Sequence, residues 1–309
     1  MDEKQYDVII LGGGPAGLTA GIYLSRTKAR TLILDTGTIG GQTVLTYEVA
    51  NYPGVESTSG YQLSSIMRKQ ALSFGCDIKS NISISDINLE NDIKMVTINN
   101  NANYSARLII LATGGRSKML NVPGETDFKG KGISYCATCD GDFFQDKEII
   151  VVGGGNSALE EAVSLTKYAS KVTILHEFDH FQAFEHAIIA AKLNPKIEFI
   201  MNSRITKFSG TDKLTRLSYS NNNTNEITEM AIDGAFIFIG YEANTNMLKN
   251  TSVELNIKGE IITNEKLQTN VDGVFAAGDN RDVRFRQITT AVADGTIAAL
   301  NALEYLNRK

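Results

Sequence analysis

Tryptophan is absent from the 309 residues, and cysteine (3), histidine (3) and proline (4) are all scarce. Three cysteines cannot make a disulfide framework, so the fold has to rest on an ordinary core. Positive charge is in deficit as well. Thirty Lys and Arg against 35 Asp and Glu leave a formal charge of −5, which argues against a nucleic-acid backbone or an anionic membrane as the principal partner. No uninterrupted apolar run approaches the ~18 residues of a membrane-spanning helix. The N-terminus MDEKQYDVII is charged and lacks a signal-peptide core, and the expected location is the cytoplasm. Against these absences, 42% hydrophobic and 21% charged residues give ample core material. The length suits two domains, one of which can be split by an insertion.

The strongest pattern is an internal repeat. Residues 6–35 read YDVIILGGGPAGLTAGIYLSRTKARTLILD, and residues 147–176 read KEIIVVGGGNSALEEAVSLTKYASKVTILH. Each is a β-branched apolar run, a glycine turn, a helical pattern and a second apolar run, which together predict a βαβ unit. The expected fold class is therefore α/β, with two Rossmann-like, three-layer nucleotide-binding domains, the second inserted in the first. The first domain must find its remaining strands later in the chain. RLIILATGG (107–115), AFIFIGYEANT (235–245) and GVFAAGDN (273–280) are the candidates, each an apolar strand ending at glycine. The expected boundaries are 1–117 and 245–309 for the first domain and 118–244 for the insertion, with a closing helix from about Thr289 to Leu306. Two connections near Gly115 and Gly240 would form a hinge. The Asn runs 99–101 and 221–223 read as hairpin or loop tips.

Gly12, Gly14 and Gly17 satisfy G-x-G-x-x-G at the first turn. Such glycines allow a tight turn, close backbone approach to a pyrophosphate and close helix–strand packing, with helix amides facing the anion. Asp35 ends the next strand, about 20 residues on, where a carboxylate can accept from a ribose diol. At Gly278-Asp279, a carboxylate at a strand end can orient polyol hydroxyls such as those of a ribityl chain, with Arg286-Gln287-Ile288 following. Cys136-Ala137-Thr138-Cys139-Asp140-Gly141 supplies two thiols at a helix start, able to form a small-loop disulfide, with helix amides favouring the thiolate. A structural zinc site needs two further ligands, and neither Cys76 nor the histidines show the spacing. No metal is expected. Asp140 can cap a helix, or serve as an acid beside the dithiol. Cys76 reads as a packed residue.

These motifs, with Gly40-Gly41-Gln42, Asn51-Tyr52-Pro53-Gly54, ATGG, VPGE, GGGNSALEEA and RQITTAVADG in this order, resemble the low-molecular-weight thioredoxin reductases along essentially the whole chain. The resemblance implies a homodimer in which an FAD domain is interrupted by a smaller domain of pyridine-nucleotide type that bears the redox CxxC. Carried over by motif, FAD meets Gly12, Gly14, Pro15, Ala16, Gly17, Asp35, Gln42, Asn51, Gly278, Asp279, Arg286, Gln287 and Ile288. By the same resemblance Cys139 is the flavin-proximal thiol, Cys136 attacks the disulfide of thioredoxin, and Asp140 is the acid.

The second glycine turn departs from the pattern. Gly153, Gly155 and Ala158 keep the G-x-G-x-x-A shape, but members that use NADPH follow it with a sequence like H-R-R-x-x-x-R, whose arginines hold the 2′-phosphate. Here the stretch is His176-Glu177-Phe178-Asp179-His180-Phe181-Gln182. All three arginine positions are lost, and Glu177 would repel a phosphate by about a kcal/mol or more at contact distance. Glu177 could instead bind the unphosphorylated ribose of NADH. Alternatively the nucleotide site is vestigial and ferredoxin is the donor, as in the ferredoxin-dependent flavin thioredoxin reductases of clostridia, which this sequence resembles. Phe178, Phe181 and Phe184, at spacing three, read as one face of a helix turn or as domain packing and favour ferredoxin. Two other readings stay open, a flavin dithiol oxidase and a flavin-bound sensing module without turnover. The CATCD motif argues against the second.

Overall fold

A computed structural model describes residues 4–46, 49–99 and 102–308. Asn100 and Asn101, the middle and end of the first Asn run, lie outside the described residues. The chain divides into two compact units, one comprising Met1–Arg116 with Glu242–Lys309 and the other Ser117–Tyr241.

In the first unit the strand Lys4–Leu11 pairs parallel with Thr31–Leu34 on one side and with Ala102–Leu111 on the other. The far edge of Ala102–Leu111 is shared. Its first half pairs antiparallel with Lys94–Ile98 and its second half parallel with Val274–Ala276. Asp77–Lys79 and Ile84–Asn88 complete the seven-stranded sheet. Val8, Ile10, Ile33, Leu108 and Ile110 face one core, while Ile9, Leu11, Leu32, Leu34, Ile109 and Leu111 face another. Both faces of the sheet are covered, and for that reason its strands read as continuous apolar runs rather than alternating ones. Helices Pro15–Arg26 and Ile288–Arg308 pack on the first face. Their backbones nearly touch, because a Cβ on Gly295 would lie 2.2 Å from the Ala16 carbonyl oxygen.

The second unit is built on a five-stranded parallel sheet in the order Ile197–Ile200, Lys171–Leu175, Glu148–Val152, Gly234–Ile237, Ile133–Ser134. An antiparallel meander, Ser203–Gly210, Leu214–Asn221 and Ile227–Ala231, accompanies it, with Asn222 and Asn223 in the turn of its second hairpin. The apolar run beginning at Ala235, named above among the candidate strands of the first domain, belongs instead to this sheet, on the insertion's side of the expected boundary at 244, because Ala235–Ile237 pair parallel with Ile150–Val152. Its Phe236 is fully buried, 5.1 Å edge-on from Phe144. Beyond it, Tyr241–Ala243 pairs with Gly115–Ser117 in a two-stranded ribbon where the chain passes between units. No helix among the described residues is long and apolar enough to cross a membrane.

Candidate active site

In the first unit the glycine turn joins a strand end to a ten-plus-residue helix with little room to spare. Gly12 has φ +110°, and a Cβ there would sit 2.1 Å from the Ala112 carbonyl oxygen. A Cβ on Gly17 would lie 1.9 Å from the Gly12 carbonyl oxygen, so the helix starts hard against the strand end. Gly14 differs, having no atom within 4 Å of the position its Cβ would take. It caps the helix without any side-chain hydrogen bond, and Pro15 opens the first turn. The space beside Gly14 at this helix start is therefore open, and a helix start with open space beside it can receive a phosphate.

Asp35 supports the turn directly. Its Oδ2 accepts from the Gly13 amide at 2.6 Å and its Oδ1 from the Gly37 amide at 2.7 Å. Each carboxylate oxygen keeps a further lone pair, so a ribose diol can still donate to it. Gln42 is exposed in the short 3₁₀ turn Gly41–Leu45. Asn51 and Gln287, far apart in sequence, come together at 3.4 Å between Nδ2 and Oε1. Ile288 begins the last helix.

At the other strand end, the Gly278 amide donates to Asp294 Oδ2 at 2.9 Å, and Arg281 binds both carboxylate oxygens of Asp294 at 2.6 and 2.8 Å. Burial pushes the Asp279 carboxyl up to about 6, with the Arg286 charge opposing the rise and Asp294 adding to it. Arg286 is ion-paired with the buried carboxylate of Glu260. Asn280, fully buried, donates to the Leu111 carbonyl oxygen at 2.9 Å and to Thr113 Oγ1 at 3.1 Å. It thereby ties together two strand ends of the site.

In the second unit Cys136 and Cys139 are joined in a disulfide, with Cα atoms 5.3 Å apart. The helix they open is one turn long, Ala137–Asp140, and Cys136 caps it. Its Sγ accepts from the Cys139 amide at 3.2 Å. Such a bond favours negative charge on the Cys136 sulfur once the disulfide opens. The capping role expected of Asp140 is not found. Its carboxylate makes no cap bond and instead accepts from the Ser134 hydroxyl at 2.5 Å. A half-buried position raises the Asp140 carboxyl above the usual carboxylate range, the Ser134 hydroxyl opposes that rise, and Asp142 adds to it. Cys76 stands apart from this chemistry. It is buried in the first unit, and burial pushes its thiol up to about 12, which makes it inert.

The second glycine turn is partly a packing device. A Cβ on Gly153, at φ +138°, would meet the Phe238 carbonyl oxygen at 2.3 Å, and one on Gly154 would meet the His176 ring at 2.4 Å. Gly155 has nothing nearer than the Gln182 carbonyl oxygen at 3.9 Å. The Phe residues do not share a helix face, since residues 177–184 form bends and a single bridge. Phe181 alone packs inward, against Phe199 at 5.7 Å, while Phe178 and Phe184 are 40% and 65% exposed. The spacing of three misled because Gln182 N donates to the Gly154 carbonyl oxygen at 2.8 Å, and this holds the segment extended along the turn. Glu177 and Gln182 are exposed.

Residues 6–295 match the family described as pyridine nucleotide-disulphide oxidoreductase. The chain belongs to this family. Similar proteins include a thioredoxin reductase of Peptoclostridium acidaminophilum, 43% identical over 98% of both chains, and one of Bacillus subtilis, 42% identical over 99% of this chain and 96% of that one. A Clostridium pasteurianum protein named for a rubredoxin operon is 42% identical over 100% of this chain and 99% of its own. The crystal structure of thioredoxin reductase from Streptococcus pyogenes superposes with a TM-score of 0.95 at 38% identity, covering 100% of each chain. The α/β architecture and the low-molecular-weight thioredoxin reductase lineage are thereby shared along the whole length.

As a pyridine nucleotide-disulphide oxidoreductase the protein is an FAD-dependent flavoprotein. The first unit's residues fit that group. The space beside Gly14 at the helix start is open, Gly12 permits the turn, and Asp279 offers a half-buried carboxyl at the neighbouring strand end. Gly14→Val tests the fit. No atom lies within 4 Å of the place its Cβ takes, so the fold should stand, with an unchanged circular dichroism spectrum, while the pyrophosphate is crowded and the protein emerges colourless. A Gly14→Val variant carrying a full complement of flavin would contradict the assignment. Sequence reasoning named Arg286 but missed its partner Glu260, and it missed Ser134, Asn280 and Asp294. Asn280 and Asp294 lie inside the quoted GVFAAGDN and RQITTAVADG and Ser134 lies two residues before CATCDG, but their roles come from burial and hydrogen-bond partners that a motif does not display.

Proposed function

We propose that this flavoprotein reduces thioredoxin through Cys136 and Cys139, with electrons from ferredoxin rather than NADPH. The observation that carries the first half is the Cys136–Cys139 disulfide, with the Cys139 amide on the Cys136 sulfur and a raised Asp140 carboxyl in the same short segment. Gly12, Gly14, Pro15, Ala16 and Gly17 of the turn, together with Asp35, Gln42, Asn51, Gly278, Asp279 and Arg286 to Ile288, would hold FAD, and the chemistry it would supply when bound is an electron pair for reduction of the disulfide. Cys136 then attacks as thiolate. A bond forms from its sulfur to one sulfur of thioredoxin, the thioredoxin disulfide breaks, and the departing thiolate takes a proton from Asp140. Cys139 next attacks the Cys136 sulfur of the mixed disulfide. The second thioredoxin thiol leaves and the Cys136–Cys139 bond re-forms, so one disulfide has been exchanged for another. The cytoplasm and a homodimer complete this reading.

Support for the donor comes from charge. Residues 176–182 contain no Lys or Arg and include Glu177 and Asp179. Burial pushes the His176 imidazole down, towards its neutral form, and His180 is engaged by Asp179 at 2.7 Å. Residues 176–182 therefore offer no fixed cation to a 2′-phosphate. A second reading, NADH as donor, is favoured by the open position at Gly155 and the exposed Glu177.

Anaerobic mixing of photoreduced enzyme with oxidised thioredoxin separates the classes without a donor. A reductase yields thioredoxin thiols in proportion to the electrons it holds. A dithiol oxidase gives up those electrons only when oxygen is admitted, and a sensing module yields no thiol in either case.

A further inference from the structure

The acid role of Asp140, and with it the reading above, requires a half-buried carboxyl to gain and lose a proton without a large penalty in either state. Burial of a polar group is costly when any of its hydrogen bonds is left unmade. The structure shows how both states can be satisfied, through a residue outside the CATCD motif.

Ser134 is 5% exposed and sits in the two-residue edge strand Ile133–Ser134, paired parallel with Ala235 and Phe236. The sheet fixes its backbone, and its hydroxyl meets three partners. It accepts from the Cys136 amide at 3.0 Å. It lies 2.5 Å from Asp140 Oδ2 and 3.3 Å from the Cys136 carbonyl oxygen, two acceptors for its single proton. A hydroxyl has one donor and two lone pairs. With Asp140 ionised, the Ser134 proton points to the carboxylate. With Asp140 protonated, the carboxylic acid donates to Ser134 Oγ, and the Ser134 proton turns to the Cys136 carbonyl. In both states the Cys136 amide stays bound, and neither buried group is left unpaired.

We propose that Ser134 is a positioning residue for the dithiol chemistry, a hydroxyl relay that carries the proton state of Asp140 to the backbone of Cys136 and keeps Asp140 able to cycle. The relay couples acid and nucleophile, because the same oxygen that answers Asp140 anchors the residue bearing the attacking sulfur. Other charges leave this role to Ser134. Asp142 is the charged group facing Asp140 from its own segment, and it opposes ionisation. On the helix Asn156–Leu165, Glu160 acts on Glu161. Against these, the Ser134 hydroxyl favours the ionised form. The neighbouring Tyr135 is anchored independently, its hydroxyl donating to the buried Glu125 at 2.8 Å. Loss of the Ser134 hydroxyl therefore leaves this neighbouring anchor in place.

The test uses flavin-loaded Ser134→Ala, the isosteric pair Ser134→Thr and Ser134→Val, and Asp140→Asn. Two quantities are followed against pH, the rate of thioredoxin reduction by photoreduced enzyme and the infrared carbonyl band of a protonated carboxylic acid, assigned to Asp140 by its loss in Asp140→Asn. Removing the hydroxyl takes a bond from both states of Asp140, and the bond to the ionised form is the stronger, so Asp140 stays protonated to higher pH. The band's midpoint and the alkaline limb of the rate should both move up by about one pH unit or more in Ser134→Ala and Ser134→Val. Ser134→Thr should return both to the wild-type position. Rates that fall equally at every pH, with the band unmoved, or a Thr variant that behaves like Val, would overturn the relay while leaving the acid role intact. Asp140→Asn working at the wild-type rate would instead remove the acid role and the relay with it, and the two failures are therefore distinguishable.

Discussion

Cys139→Ser will hold thioredoxin as a stable mixed disulfide through Cys136, visible as a covalent complex on a non-reducing gel, while Cys136→Ser will hold none. The asymmetry follows from the short helix. The Cys139 amide lies 3.2 Å from Cys136 Sγ, and negative charge is favoured on the residue that caps the helix rather than on the one inside it. With Cys139 replaced, the attacking thiolate remains but nothing resolves its product. With Cys136 replaced, the attack itself is lost. Turnover should fall by roughly three orders of magnitude or more in either variant, since each removes a covalent participant. Trapping by Cys136→Ser in place of Cys139→Ser would mean that the two roles are exchanged.

NADPH should reduce the wild-type flavin at least about 100-fold more slowly than reduced ferredoxin does, because each missing bidentate Arg–phosphate contact forfeits a charge-assisted bond. The sharper result comes from Glu177→Arg, Phe178→Arg and Gln182→Arg combined. All three positions are exposed, so the substitutions cost the fold little. Charge alone does not rebuild the pocket, however. The His176 ring lies against Gly154 and stacks on Phe181 at 5.7 Å, and Gln182 N is bonded to the Gly154 carbonyl oxygen at 2.8 Å. The segment is seated along the turn by that backbone bond and by Phe181 packed against Phe199, neither of which the variant changes. The triple variant is therefore expected to remain inactive with NADPH. Recovery of rapid NADPH reduction would show that charge was the only obstacle.

Most of the fold is visible in the sequence for a physical reason. Strands covered on both faces read as unbroken apolar runs, and VIIL (8–11) and IIVV (149–152) announce themselves before each glycine turn. The glycines are legible because Gly12 and Gly17 have no room for a side chain. Periodicity could not show which sheet a late strand joins. Ala235–Ile237 looks like Val274–Ala276 in composition, and although it falls inside the expected 118–244 insertion, only its pairing with Ile150–Val152 shows which sheet it joins. The Phe178, Phe181 and Phe184 spacing failed similarly, because one backbone bond from Gln182 overrides a weak helical pattern. At the site, residue types with inherent chemistry stood out: two cysteines, an acid, a glycine turn. Ser134 did not, since a serine acquires its role from a 2.5 Å neighbour six residues on and from burial.

The most direct test is anaerobic stopped-flow mixing of the oxidised, flavin-loaded protein with reduced ferredoxin, NADH or NADPH in separate runs, following flavin absorbance and then thioredoxin thiols. The expected result is bleaching by reduced ferredoxin, followed by thiol formation that requires Cys136, with NADPH leaving the absorbance unchanged on the same timescale. Rapid bleaching by NADPH would contradict the account of the donor, and bleaching by NADH alone would move Glu177 into a ribose-binding role.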